Sequence, residues 1–82
     1  MEEITWDDVK KGQFLLITQD VEPKGPRRKY HIEWCGEVVE HSPKWTILKY
    51  QKESLTVPTK WGREVIKKMT LKEFKEYMKA EK

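Results

Sequence analysis

The sequence predicts a mainly β protein with a C-terminal α-helix, organised as a small five-stranded antiparallel barrel of the SH3-like kind. Three observations carry that expectation. Five short segments have strand patterning and are separated by turn residues, a glycine interrupts the longest of them, and a capping-box spacing opens one apolar stripe of helical period near the end of the chain.

Near the start, Thr5 is placed to cap a single helical turn through Trp6, Asp7, Asp8 and Val9, which Gly12 ends. Residues 13–18 follow as a strand whose Phe14, Leu15, Leu16, Ile17 run is apolar on both faces, as expected of a strand packed on both sides. From Asp20 to Arg28 two prolines flank Gly25, so no regular ladder is expected and the segment is a loop. Residues 29–40 alternate cleanly. Tyr30, Ile32, Trp34 and Val38 fall on one face, Lys29, His31, Glu33 and Glu37 on the other, with Gly36 marking a bulge or bend.

His41, Ser42, Pro43 and Lys44 form a turn into a strand over 45–51, which pairs as an antiparallel hairpin with the strand before it. A shorter strand spans 54–57, ends at Pro58, and is joined through Thr59, Lys60, Trp61 and Gly62 to a fifth over 63–68. A helix over 70–80 begins with Thr70 and Glu73 in capping-box spacing, and Leu71, Phe74 and Met78 form its apolar stripe with Tyr77 on the flank. An OB-fold is disfavoured because Lys52 and Glu53 leave no room for the helix that fold places between its third and fourth strands. The layout resembles that of the small archaeal chromatin proteins, which also carry a C-terminal helix on an SH3-like barrel; the resemblance is one of architecture and transfers no functional position.

An 82-residue chain of 9.9 kDa holds one domain, here residues 1–82. Apolar residues are 37% and charged residues 38%, so the core is small and a deep substrate cavity is not expected. Nine aromatic residues, four of them Trp, separate the composition from that of a disordered chain. No run approaches the roughly 20 apolar residues of a membrane-spanning helix, and Met1, Glu2, Glu3 do not open a secretory signal. With Cys35 as the sole cysteine no internal disulfide forms, which favours an intracellular compartment, cytoplasmic or nucleoid-associated.

Catalytic chemistry finds no support. Cys35 is four residues from His31 on one strand, roughly 13 Å at about 3.3 Å per residue, and only a bend at Gly36 would bring His41 nearer. Neither histidine has zinc-ligand spacing, the carboxylates have ordinary structural explanations, and no phosphate loop or nucleophile elbow is present. The chain is therefore expected to be a binding module, not an enzyme, with no metal, no cofactor and no membrane partner.

Charge is uneven. Residues 1–22 hold two basic and six acidic residues, net −4; residues 23–52 seven and three, net +4; residues 53–82 eight and five, net +3. Lys24, Arg27, Arg28 and Lys29 crowd the first long loop, where several cations can meet phosphate oxygens together. Trp61, between Lys60 and Gly62 with Arg63 following, and Trp45, just after Lys44, stand at turns beside cations, as stacking residues do. The expected partner is nucleic acid, DNA or RNA, held through phosphates by Lys24, Arg27, Arg28, Lys29, Lys44, Lys60 and Arg63, with stacking on Trp61 and Trp45 and weak sequence specificity. Two alternatives use the same residues. One is a protein-interaction module or small inhibitor with the aromatics as anchors; the other is a binder of a small phosphorylated ligand or nucleotide, acting as an oligomer. Lys67, Lys68, Lys72, Lys75 and Lys79 alternate with acids near the C-terminus and are expected to form mostly a solvated face.

Overall fold

The chain folds as one six-stranded antiparallel sheet with a helix on its outer side. The computed structural model describes residues 1–59 and 64–80. In chain order these are β1 (Glu2–Ile4), a 3₁₀ turn at Trp6–Asp8, β2 (Phe14–Val21), β3 (Tyr30–His41), β4 (Trp45–Tyr50), β5 (Glu53–Pro58), β6 (Glu64–Met69) and α1 (Leu71–Ala80). The spatial order is β1-β6-β2-β3-β4-β5.

The five strands and the helix expected from patterning are present, and β1 is an addition. Three residues are too few for an alternation signal, and β1 owes its existence to pairing: Glu2 and Glu3 lie opposite Lys68 and Lys67, and Ile4 opposite Ile66. The expected five-stranded barrel is corrected to a six-stranded sheet that is not closed, its outermost strands β1 and β5 being unpaired with each other. β2 also runs three residues past its expected end, because Gln19, Asp20 and Val21 continue the ladder opposite Ile32, His31 and Tyr30.

The sheet must nevertheless curl. In a flat sheet Pro58 and Glu64 would be separated by four strand spacings and most of the length of β3, about 35 Å, yet only six residue steps join them, a reach of roughly 20 Å. Curling gathers Leu15, Ile17, Val38, Leu48, Val57 and Ile66 into one buried cluster on the concave face. Val9 and half-buried Trp6 from the N-terminal turn pack onto it, with Ile4, Trp34 and Leu55 at its margin.

The period of two sends the alternate residues outward. Phe14 and Leu16 from β2, Cys35 from β3 and Met69 from β6 form a second cluster beneath Phe74, Tyr77 and Met78 of α1. Phe14 and Phe74 stack at 4.8 Å, and Tyr50 meets Phe74 edge-on at 6.2 Å. The helix starts as its sequence dictates: the Thr70 hydroxyl accepts from the Glu73 N–H at 3.1 Å, and the Glu73 carboxylate accepts from the Thr70 N–H at 3.0 Å. Glu73 also meets the N-terminal ammonium of Met1 at 3.0 Å. These contacts, the Thr70 N–H first, hold its carboxyl below the ordinary value of 4.5.

Candidate nucleic-acid interface

The β2–β3 hairpin is the most prominent projection of the sheet. The last pair joining β3 to β4 at that end is Glu37 with Lys49, so β3 overhangs β4 by the seven residues from Tyr30 to Gly36, roughly 20 Å. On the other side β6 begins opposite Gln19, and the pairs Asp20 with His31 and Val21 with Tyr30 have no outer strand among the described residues. What projects is a two-stranded ribbon ending in residues 22–29, with Gly25 in the left-handed region at φ +91°.

Lys24, Arg27, Arg28 and Lys29 all lie on this tip and all are exposed. Lys29 is tied to Glu22 at 3.2 Å. Lys24, Arg27 and Arg28 make no ion pair among the described residues, so three cations stand free within five positions. Tyr30, half exposed at the base of the tip, is an aromatic that the alternation assigned to the inward face; there is no sheet opposite it to cover it.

The ribbon's outer face carries acids. His31 contacts Asp20 through Nδ1 at 2.9 Å and Glu33 through Nε2 at 3.4 Å, and Glu33 also accepts the Tyr77 hydroxyl at 3.0 Å. The hydrogen bond to Asp20 raises the imidazole above its ordinary value of 6.5, with Glu33 adding to it. Protonation of His31 thus cancels part of the negative charge just below the basic tip.

Trp45 and Lys44 lie elsewhere. They follow His41, at the opposite end of the twelve-residue β3 from the basic loop, so the two groups do not form one constellation. Lys44 is exposed, and Trp45, 42% exposed, lies opposite Pro58 on the edge hairpin. Lys60, Trp61 and Arg63 lie outside the described residues. Trp34 joins the concave core as its alternation requires, and Trp6 stacks on His41 with ring centres 6.1 Å apart.

His41 departs from the solvated role expected of it. It is half-buried, and its Nδ1 lies 2.7 Å from the hydroxyl of fully buried Thr46. That hydroxyl is 3.2 Å from Thr59 Oγ1, which donates to the Ser42 carbonyl at 3.1 Å. Since Thr59 spends its proton on Ser42, Thr46 donates to Thr59 and the His41 Nδ1–H donates to Thr46. The chain of donors ties the β3–β4 turn to the end of β5. The pairing of His41 with Thr46 across a register shift made this contact invisible to strand patterning. Cys35 is buried under α1, in a structural position.

These surfaces define a small curled-sheet protein with a projecting basic ribbon and a helix-covered outer face. No protein family, curated protein or solved structure matches the chain. No helix among the described residues is long and apolar enough to cross a membrane.

Proposed function

We propose that the chain is a non-enzymatic nucleic-acid-binding module in which the β2–β3 ribbon presents Lys24, Arg27 and Arg28 to the phosphate backbone, and that its curled sheet is an SH3-like barrel left open at one seam. The observation that carries the reading is the overhanging ribbon with three free cations at its tip. A two-stranded ribbon has the width to enter a duplex groove, and two adjacent arginines provide planar donors matched to phosphate oxygens. Phosphate contacts position a protein without reading sequence, so specificity is weak.

The test is fluorescence anisotropy of labelled single- and double-stranded oligonucleotides across a salt series. The Arg27→Ala, Arg28→Ala double variant is expected to bind more weakly, with the slope of log K against log salt reduced by about two. An unchanged slope in that variant, or no saturable binding by the parent protein at low salt, overturns the reading.

A protein-interaction module is the second reading, favoured by Trp45, a large aromatic exposed on an edge hairpin, since Trp is enriched among interface anchors. Trp45→Ala separates the two. It leaves binding at the distant ribbon tip unchanged and abolishes capture of a protein partner through the Trp45 surface.

A further inference from the structure

The β4–β5 turn and the C-terminal half of α1 enclose an open groove of about 730 Å³, lined by Tyr50, Gln51, Lys52, Glu53, Lys75, Met78 and Lys79. Its size lies within the range of small-molecule sites, roughly 300–1,000 Å³. Its floor is an aromatic and a thioether, Tyr50 and Met78, both half-buried, with the Tyr50 ring held edge-on against buried Phe74. Its rim is cationic. Lys52, Lys75 and Lys79 are exposed and have no ion-pair or hydrogen-bond partner among the described residues.

Two features mark the arrangement as more than a solvated face. The lysines and glutamates of α1 alternate in sequence, but at about 100° per residue Lys72, Lys75 and Lys79 fall within about 60° of one another, with Glu73 and Glu76 on the neighbouring flank. Glu73 is further occupied by Thr70 and the N-terminus. On the opposite wall, Gln51 has φ +56°, a left-handed conformation unusual for a residue with a side chain. Among the described residues it is the one non-glycine so placed, and it sits beside Lys52 in the two-residue turn between Tyr50 and Glu53.

We propose that this groove binds a nucleoside phosphate, the base lying on Tyr50 and Met78 and the phosphates meeting Lys52, Lys75 and Lys79. The ligand class follows from the lining: a flat apolar floor takes an aromatic ring, three unpaired lysines take a multiply charged anion, and Glu53 on the lip can accept from a sugar hydroxyl or a base amino group. The site is separate from the β2–β3 ribbon and stands or falls independently of it.

Titration of the full chain with adenosine triphosphate, followed by amide NMR shifts, tests the assignment. Inorganic triphosphate and adenosine serve as parallel probes. Saturable shifts confined to Tyr50–Glu53 and Lys75–Lys79 are expected, weakened tenfold or more by Lys75→Gln with Lys79→Gln, and unchanged by Arg27→Ala with Arg28→Ala. Tyr50→Leu is expected to weaken the nucleotide while leaving inorganic triphosphate unaffected, its fold checked from the same spectra. Should that variant unfold, the lysine variants and the comparison of probes carry the test. Shifts spread over every surface lysine, or triphosphate binding as tightly as the nucleotide to the parent protein, overturn the assignment.

Discussion

At Gly36 the absent side chain is what lets two strands meet. A Cβ there would lie 2.7 Å from the Lys49 carbonyl oxygen and 3.0 Å from the Leu48 Cβ, and neither is the free end of a flexible chain. Gly36→Ala is therefore expected to destabilise the fold by about 1–3 kcal/mol, the range for overpacking a filled site, with a lowered midpoint in urea as the readout. No loss would mean that β4 shifts freely. His31 supplies a second prediction at this scale. Its raised value means that its contacts with Asp20 and Glu33 contribute fully below pH about 6.5 and fade as pH rises through the folded-state value above it. The imidazole, followed by proton NMR, is expected to titrate above 6.5, and Asp20→Asn to bring it down. A midpoint at or below 6.5 in the parent protein would contradict the contact. Because the group is half exposed, salt weakens the effect.

Among the elements, those with long-range patterning were legible from the residues alone, and those created by partners were not. The Tyr30, Ile32, Trp34, Val38 alternation located β3 to within a residue at each end, and Thr70 with Glu73 located the start of α1 through a bond pattern local to four residues. β1 was hidden because Glu2, Glu3 and Ile4 have no strand signal of their own; opposite charges on β6 and one apolar contact recruit them. The bend expected at Gly36 proved to be a close approach, while the ladder shifts register between Val38 and Glu40, where no glycine announces it. The candidate site divided in the same way. The cations of the β2–β3 loop could be found by composition, but the reach of the ribbon depends on where β4 and β6 stop. The groove beside α1 was missed because the alternation of Lys and Glu in sequence conceals their separation around the helix axis.

Across the whole molecule, charge and packing follow from one arrangement. The acidic N-terminal strand lies against the lysines of β6, and the N-terminal ammonium against Glu73, so positive charge is left at the ribbon tip and along the groove flank of α1. The two hydrophobic clusters lie on opposite faces of the same strands, since Leu15 and Ile17 point into the concave core and Phe14 and Leu16 toward the helix. β2 thus belongs to both, and loosening one cluster releases the backbone that frames the other. Phe74→Ala removes the ring that stacks on Phe14 and abuts Tyr50, at an expected cost of about 3–5 kcal/mol. For a domain of this length total stability is of order 4–12 kcal/mol, so the variant is left marginal. If the clusters share one cooperative unit, tryptophan fluorescence, which reports Trp6 and Trp34 in the concave core, and far-ultraviolet circular dichroism fall together in urea for both parent and variant. A variant whose helix signal is lost while the concave-core fluorescence transition stays where it was would show instead that α1 docks on a sheet able to fold without it.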